Sequence, residues 1–364
     1  LFNYLFAAHN DGEMVLRFED TDRERSKPEF EQDILDAVHW VGIPYTQPEV
    51  YRQSERLSVY QTHVARLVEA GHAYEAEESE NNPGKKVVRF KNPNKVLTFS
   101  DAVRGEVTFD TTDLGDFVIA RSIDEPLYHL AVVIDDADMG ITHVIRGEEH
   151  ISNTPRQILI LEALGFTRPE YAHIPLILAP DKSKLSKRHG AVSATEYQHQ
   201  GFIPEALINY LALLGWNPGG EREIFTLEEL IQLFTLDRVH KAGAVFDIEK
   251  LKWFNHEHLK RLSDEEYVKR LFDLVGRTMD MRLVPLIKER AQTLKEAADM
   301  LAGEFGFLHG VSYEPELLLN KGKIPAAEAS KHLQAVKSLL TGAEDEDFTA
   351  LRTKELLMPY ADKE

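Results

Sequence analysis

The apolar stretch Ile174-Pro175-Leu176-Ile177-Leu178, followed by the polar loop Ala179 to Gly190, indicates the fold of this chain. The loop contains Lys184-Leu185-Ser186-Lys187-Arg188, in which two lysines stand three residues apart. An apolar run that leads into a basic loop is typical of a parallel strand whose carboxyl end meets a nucleotide. Lysine suits this place because its ammonium group is a compact charge for phosphate oxygens. A basic pentamer is also common in solvated loops and localisation patches, so the surrounding sequence must decide.

The composition is that of an ordinary globular protein with two or three domains: 364 residues, 43% hydrophobic and 28% charged. No apolar run is long enough to span a bilayer and none resembles a signal peptide, so we expect a cytoplasmic protein without membrane contact. The absence of cysteine excludes disulfides and thiolate zinc sites. A net charge of −19 disfavours non-specific nucleic-acid binding, so any such contact must use a local basic patch such as Lys182 to His189.

A first candidate binding cluster follows the predicted buried strand Met14 to Phe18. The next residues are Glu19-Asp20-Thr21-Asp22-Arg23. Acidic groups at the carboxyl end of a parallel strand lie where α/β sheets bind ligands, so this cluster would hold either an ammonium group or a metal. The alternative is that Asp20, Thr21 and Asp22 only cap a turn and a helix.

A second cluster lies between Tyr128 and Thr154. The apolar run Tyr128 to Ile134, which we predict as a strand, ends in Asp135-Asp136, and a second strand, Ile141 to Ile145, ends in Arg146-Gly147-Glu148-Glu149-His150. Arg146 would grip a carboxylate, while Glu149 and His150 would meet a nucleotide sugar or base. The alternative is an Arg146–Glu148 salt bridge beside a surface histidine. Opposite charges at two strand ends, Glu19 and Arg146, predict an α-amino acid as substrate.

Start signals predict helices at several places. Capping boxes are recognised at Ser26-Lys27-Pro28-Glu29, Thr154-Pro155-Arg156-Gln157 and Ser263-Asp264-Glu265-Glu266. The remaining predicted elements are a helix from Ser54 to Gly71, an acidic loop at 75–84, short strands at 87–90, 107–109 and 117–120, and helices at 283–307 and 326–340.

Taken together, the motifs resemble those of the bacterial glutamyl-tRNA synthetases, a family of class I aminoacyl-tRNA synthetases. The likeness runs in register from Leu1 to about Asn255 and continues more weakly beyond. The stretches that carry it are Arg17-Phe18-Glu19-Asp20-Thr21-Asp22-Arg23, Tyr51-Arg52-Gln53-Ser54-Glu55-Arg56, Val144-Ile145-Arg146-Gly147-Glu148-Glu149-His150-Ile151, Asp181 to Arg188, and Gly243-Ala244-Val245-Phe246-Asp247.

The resemblance implies an α/β fold: a Rossmann-like catalytic domain with a small β-containing insertion, followed by an all-α tRNA-binding region. The implied segments are the first part of the catalytic domain at 1–73, an inserted acceptor-end-binding domain at 74–127, the second part of the catalytic domain at 128–190, a helical stem-contact region at 191–262, and an α-helical anticodon-binding region at 263–364.

The resemblance also implies ATP-dependent activation of L-glutamate and its transfer to tRNA(Glu), with Mg²⁺ accompanying ATP. The basic loop would stabilise the transition state through Lys184 and Lys187. Glutamate would be bound by Glu19, Tyr128 and Arg146. The ATP-binding residues implied are Glu149, His150, Lys184, Leu185, Ser186, Lys187 and Arg188. We expect a monomer.

This sequence departs from the family pattern at its N-terminus. The family's first signature, of histidine–x–glycine–histidine type, and an arginine that helps to hold glutamate would both precede Leu1. Leu1 to Asn10 reads as the end of a helix, so we expect a chain that is incomplete at both ends and impaired by itself. Zinc is not expected, because no cysteine is present. The insertion is short between Tyr74 and Val87, so acceptor-end contacts are expected to differ.

Three other readings have different implications. A paralogue that glutamylates a modified tRNA base would lack the helical region at 263–364. Glutaminyl-tRNA synthetases have a β-barrel C-terminal part, which the helical tail and Asp22 argue against. A non-catalytic tRNA-binding protein would have lost the first signature, whereas the intact Lys184 to Arg188 loop favours an enzyme. Use of tRNA(Gln) in addition to tRNA(Glu) stays open.

Overall fold

A computed structural model describes residues 1–21, 26–45, 50–78, 84–186, 188, 193–305, 319, 323–343 and 350–361. The chain divides into two compact units, Leu1–Asp299 and Met300–Glu364. In these described ranges, no helix combines the length and the apolar character needed to cross a membrane.

The first unit begins with helix α1, Phe2–His9, which confirms the helical reading of this segment. Strands β1, Arg17–Phe18, and β2, Tyr51–Arg52, then form a parallel pair. β1 is shorter than predicted and only half-buried, since two residues of the apolar run Met14 to Phe18 pair with β2. Helices α2, Pro28–Trp40, and α3, Leu57–Glu69, follow β1 and β2 respectively.

Two four-stranded sheets form the centre of the first unit. The antiparallel sheet has the order β3 (Ala73–Glu77), β4 (Lys86–Phe90), β7 (Phe117–Ser122), β8 (Glu125–Pro126). The other sheet has the order β6 (Gly105–Asp110), β5 (Val96–Asp101), β10 (Glu170–Ile174), β9 (His143–Gly147), with β6 antiparallel and the other pairs parallel. These two sheets confirm the predicted α/β organisation with a β-containing insertion.

The predicted insertion at 74–127 contributes strands to both sheets. Its β5–β6 hairpin pairs with β10, whereas β4, β7 and β8 lie in the antiparallel sheet. Each of the three predicted short strands lies within an observed strand, and β3, β5 and β8 are additional. β3 lies partly in the predicted acidic loop, where Lys86 of the neighbouring strand forms an ion pair with Glu75 and neutralises its charge. The predicted domain bounds stay a prediction.

The run from Tyr128 to Ile134 is a helix, α4, Tyr128–Asp138, and the predicted strand is wrong. Leu130 to Ile134 are all buried, because α4 contacts α3, β7 and helix α5, Thr154–Leu164. A helix that is apolar on all sides shows no 3.6-residue pattern, so a short apolar run does not distinguish helix from strand.

Two of the three predicted capping residues, Ser26 and Thr154, do not cap their helices. Helix α2 has Lys27 as its N-cap and α5 has Asn153, and neither residue makes a side-chain cap. Thr154 lies inside α5, where its hydroxyl accepts a hydrogen bond from Arg146. Ser263 does cap its helix, since its hydroxyl accepts from the backbone N–H of Glu266. The predicted start at Ser54 lies in a 3₁₀ turn instead.

The remaining elements of the first unit are mostly helices around one further parallel pair. That pair joins β11, Ile177–Leu178, to β12, Ala244–Val245. The helices are α6 (Ala194–His199), α7 (Pro204–Gly215), α8 (Leu227–Leu233), α9 (Ile248–Arg261), α10 (Asp264–Val275) and α11 (Val284–Arg290). The predicted helix at 283–307 is broken after α11, and α12, Leu294–Ala302, begins where Thr293 accepts from the N–H of Glu296.

Two helices are described in the second unit. Helix α13, Ala326–Thr341, confirms the helix predicted at 326–340. Helix α14, Ala350–Ala361, was not predicted. The two helices contact each other, and the hydroxyl of Tyr360 lies 2.8 Å from Nδ1 of His332.

Candidate functional site

The basic loop follows a parallel strand, as the sequence indicated. The apolar run is divided between β10, which ends at Ile174, and β11, which pairs with β12. The loop then folds back on β11, because the backbone N–H of Leu185 donates to the oxygen of Ile177 at 3.0 Å and Lys184 bridges to Leu178. This turn holds Lys184 beside the end of the strand.

Gly243, the residue before β12, lies in a place with no room for a side chain. A β-carbon at this position would lie 2.9 Å from Cδ1 of Leu178 and 3.0 Å from the backbone oxygen of Leu176. Only a residue without a side chain therefore lets the two strands approach this closely, and the sequence motif from Gly243 to Asp247 supports the base of the basic loop.

Lys184 pairs with a second predicted site residue, Glu149. The Lys184 ammonium lies 2.9 Å from Oε1 of Glu149, and the two side chains are 62% and 36% exposed. Burial alone would raise the pKa of Glu149, but the hydrogen bond and the charge of Lys184, together with a backbone hydrogen bond, lower it by more, so the net pKa falls. A β-carbon at Gly147 would overlap the same carboxylate, which would have to move. The structure thus joins the basic loop to the end of β9.

The other residues of the loop differ in their contacts and in whether the structure describes them. Arg188 donates to the hydroxyl of Ser183 at 3.3 Å, and Ser183 in turn donates to Asp181 at 2.6 Å. Ser186 is half-buried. Lys187 lies outside the described residues, and so do Asp22 and Arg23 of the first cluster.

Glu19 belongs to a charged network that also includes the last turn of α4. Arg17 pairs with Asp136 at 2.8 Å and with Glu19 at 3.6 Å. Burial raises the pKa of Glu19, Arg17 opposes this shift, and Asp136 adds to it, with a raised pKa as the net result. Asp20 has a different place, because both its oxygens accept hydrogen bonds from Ser54.

Tyr128, Arg146 and His150 of the second cluster lie together. The Tyr128 hydroxyl is 3.5 Å from Nδ1 of His150, and Arg146 donates to the backbone oxygen of His150 at 3.5 Å. Burial raises the pKa of Tyr128, the charge of Glu19 raises it further, and the charge of Arg146 lowers it. Burial and Arg146 lower the pKa of His150. Opposite charges therefore act on the hydroxyl of one half-buried tyrosine.

The predicted alternative, an Arg146–Glu148 salt bridge, is wrong. Glu148 pairs with Arg104 at 2.7 Å and accepts from the backbone N–H of Leu176 at 3.2 Å. In the part of the chain that the structure describes, Arg146 forms no ion pair with a carboxylate, and its neighbours are His150, Thr154 and His173. Arg146 thus retains hydrogen-bond donors for an external anion.

Four residues around Arg146 were not anticipated from the sequence, namely Asp101, Arg104, Thr154 and His173. Asp101 and His173 are 72 residues apart and carry no recognisable motif. Their meeting depends on the parallel pairing of β5 with β10, which no local pattern predicts.

Two family comparisons match this chain. The family described as "tRNA synthetases class I (E and Q), catalytic domain" matches residues 1–82 and 75–253. The family described as "Anticodon binding domain" matches residues 247–364. The second match begins earlier than the predicted boundary at 263.

Curated relatives carry the name glutamate–tRNA ligase. The chain is 49% identical to that of Desulforamulus reducens, over 74% of this chain and 65% of the relative. It is also 49% identical to that of Carboxydothermus hydrogenoformans, over 71% of this chain and 63% of the relative. These two matches therefore span slightly less than two thirds of each relative. Identity is 40% to that of Thermodesulfovibrio yellowstonii, over 98% of this chain and 84% of the relative.

Solved structures show the same relationship across the whole chain. A glutamate tRNA ligase from Elizabethkingia meningosepticum, solved in complex with its amino acid, superposes with a TM-score of 0.81 at 31% identity, covering 100% of this chain and 86% of that one. The glutamate-tRNA synthetase of Elizabethkingia anophelis gives a TM-score of 0.80 at 31% identity, with the same coverage. The chain therefore belongs to the glutamyl-tRNA synthetase family of class I aminoacyl-tRNA synthetases.

Proposed function

We propose that the protein containing this chain activates L-glutamate with ATP and transfers the glutamyl group to the 3′ end of tRNA(Glu). The names of the relatives support this activity. The observation that carries the proposal is that Arg146 lies with Tyr128 and His150 and forms no ion pair with a carboxylate of the described residues, while the charge of Glu19 raises the pKa of the same Tyr128. A zwitterion with a second carboxylate complements such a site, because it offers one ammonium group and two anions.

The glutamate-binding roles follow from these charges. Glu19 pairs with the substrate ammonium group, and the guanidinium of Arg146 binds the side-chain carboxylate. Arg146 suits this role because a guanidinium can donate two parallel hydrogen bonds to one carboxylate. The Tyr128 hydroxyl contributes a further hydrogen bond, and its raised pKa keeps it protonated as a donor.

ATP is bound by Glu149, His150 and the loop from Lys184 to Arg188, comprising Lys184, Leu185, Ser186, Lys187 and Arg188. The Lys184–Glu149 pair is partly exposed, so its net stabilisation is small, about 0–1 kcal/mol. Lys184 can therefore leave Glu149 for a phosphate at little cost. Mg²⁺ enters with ATP and is held mainly by phosphate oxygens and water, as is usual for this ion. Among the described residues, no group of three or more His, Asp or Glu side chains is arranged to hold a metal.

The reaction has two steps. A carboxylate oxygen of glutamate attacks the α-phosphorus of ATP, and pyrophosphate leaves. A terminal ribose hydroxyl of tRNA then attacks the carbonyl carbon, loses its proton, and AMP leaves. Lys184 and Lys187 stabilise the negative charge that develops on the phosphorus oxygens, so catalysis consists of positioning and electrostatic stabilisation. The helices that match the anticodon-binding family bind tRNA, and the protein acts as a cytoplasmic monomer.

The test is Arg146→Ala in the full-length protein, assayed by glutamate-dependent exchange of pyrophosphate into ATP with tRNA present. Two hydrogen bonds to a charged group contribute about 1.5–3 kcal/mol each, which predicts a rise of about 10²- to 10⁴-fold in KM for glutamate. KM for ATP should stay nearly unchanged. Lys187→Ala should mainly lower kcat.

A matched control is Arg168→Ala, because Arg168 also pairs with glutamate side-chain oxygens but lies on the surface beside Glu162. This variant should behave as the parent protein in both KM values. Equal loss of glutamate and ATP binding in Arg146→Ala would contradict the assigned role of Arg146. A parent protein without any glutamate-dependent exchange would contradict the proposed function itself.

A further inference from the structure

Arg146 contacts one member of a fully buried hydrogen-bonded pair, Asp101 with His173. Nδ1 of His173 is 2.6 Å from Oδ2 of Asp101, and both side chains are 0% exposed. Asp101 is the last residue of β5 and His173 lies in the neighbouring strand β10. Two rigid strands therefore hold this pair, which none of the glutamate-binding roles above uses.

The hydrogen bonds of Asp101 determine where the proton of the imidazole lies. Its carboxylate accepts from the backbone N–H groups of Val103, Arg104 and His173 as well as from the His173 ring. Burial raises the pKa of Asp101, but these donors lower it by more, so the carboxylate stays ionised. An ionised carboxylate only accepts hydrogen bonds, so Nδ1 of His173 carries the hydrogen.

The other ring nitrogen faces Arg146. Nε of Arg146 is 3.2 Å from Nε2 of His173, and a guanidinium N–H can only donate, so Nε2 presents a lone pair. The Thr154 hydroxyl lies 3.0 Å from Nη2 of Arg146 and 3.2 Å from the same Nε2. The Nε edge and one side of Nη2 are thus occupied. The other side of Nη2 donates to the backbone oxygen of His150 at 3.5 Å, so among the described residues only the N–H groups of Nη1 make no hydrogen bond.

We propose that Asp101 and His173 are positioning residues that orient the Arg146 guanidinium for the side-chain carboxylate of glutamate. Asp101 holds the His173 tautomer in which Nε2 accepts, and Nε2 then holds the Nε edge of Arg146. The inference rests on the proposed function, since it concerns the same carboxylate. An arginine left to rotate would lose the paired geometry that distinguishes a carboxylate from an amide.

Two substitutions at His173 separate positioning from a merely structural role. In His173→Asn the amide nitrogen replaces Nδ1, which preserves the bond to Asp101 and removes the acceptor for Arg146. In His173→Gln the amide oxygen reaches the place of Nε2, which preserves the acceptor and removes the bond to Asp101. A structural role of the buried pair would make His173→Asn the milder change, whereas positioning makes His173→Gln the milder one.

The experiment measures KM for glutamate, KM for ATP and kcat in the exchange assay, with thermal unfolding recorded for each variant. We expect His173→Asn to raise KM for glutamate about tenfold or more, the loss typical of one hydrogen bond to a charged group. KM for ATP should change less than about twofold, within the spread of unrelated surface changes. His173→Gln should retain most of the affinity for glutamate.

Asp101→Asn provides an independent check. An Asn amide that donates to Nδ1 would shift the hydrogen to Nε2, where it would oppose the N–H of Arg146. KM for glutamate should rise in a folded Asp101→Asn protein as it does in His173→Asn. If Arg146→Ala weakens glutamate binding while both His173 variants bind glutamate as the parent does, the positioning role is refuted and the proposed function stands. If Arg146→Ala leaves glutamate binding unchanged, the proposed role of Arg146 fails first.

Discussion

Tyr60→Phe should destabilise the first unit through the loss of one buried hydrogen bond. The Tyr60 hydroxyl lies 2.8 Å and 3.0 Å from the two oxygens of Asp135, and both residues are 0% exposed. Asp135 also accepts from Gln53 at 2.9 Å and from Arg56 at 2.8 Å. The substitution keeps the ring and removes one of three strong donors to a buried charge. A hydrogen bond to a charged group contributes about 1.5–3 kcal/mol, which is the expected loss in the free energy of unfolding.

Tyr74→Phe is the matched control, because Tyr74 also donates to a carboxylate, that of Asp116 at 2.7 Å. Tyr74 is 38% exposed and Asp116 is exposed, so water can replace the lost hydroxyl. We expect this variant to lose no more than about 0.5 kcal/mol.

Urea unfolding followed by tryptophan fluorescence measures both losses. All three tryptophans of the chain, Trp40, Trp216 and Trp253, belong to the first unit, so the signal reports on the unit that contains both tyrosines. Equal losses for Tyr60→Phe and Tyr74→Phe would refute the argument that burial of the Asp135 carboxylate sets the magnitude.

Two further predictions concern other parts of the first unit. Burial lowers the pKa of His258 to about 4, while Nε2 of the ring lies 2.9 Å from the side-chain oxygen of Asn209. Between the ordinary histidine pKa of about 6.5 and this lowered value, the unfolded chain binds a proton at His258 that the folded chain does not bind. The free energy of unfolding therefore keeps the full contribution of neutral His258 above a pH of about 6.5, and this contribution is lost as the pH drops towards 4. His258→Gln should flatten this part of the stability–pH curve, measured by urea unfolding, and an unchanged slope would exclude His258 as its source. Gly243→Ala should cost about 1–3 kcal/mol, because its β-carbon would overlap Leu178 and the backbone of Leu176. Proteolysis of the loop after Leu178 should also become faster, and a variant of parent stability would show that the strands can separate without strain.

Local sequence patterns predicted the helices and strands that bury only one face, and those whose ends are marked by a capping residue or by a change from apolar to polar residues. Helix α10 begins at a Ser263 cap, and Tyr267 and Leu271 are buried on one face. Strand β9 and the loop after β11 also lie where apolar runs end in polar residues. Helix α4 could not be assigned in this way, because its neighbours bury it on several sides and leave no polar face to mark the period.

In the candidate site, too, the sequence identified the charged residues, whereas the fold decided their partners. Glu19, Arg146, Glu149 and Lys184 could be named from the sequence, since charged residues that follow apolar runs stand out locally. The sequence alone left the partner of Arg146 open, and the alternative pairing with Glu148 was reasonable for a residue two positions away. In the folded chain Arg104 forms the ion pair with Glu148, and Arg146 forms hydrogen bonds with Thr154 and His173 instead.

The sequence by itself therefore determined the family, the order of the strands and loops that carry the charged motifs, and the identity of most candidate site residues. The tertiary structure decided which charges neutralise one another and which stay available to a ligand. The physical reason is that hydrophobic periodicity and capping act over a few residues, whereas contacts such as the hydrogen bond between Asp101 and His173 form only after distant strands pair. Burial then strengthens those contacts, because removing water lowers the local dielectric constant.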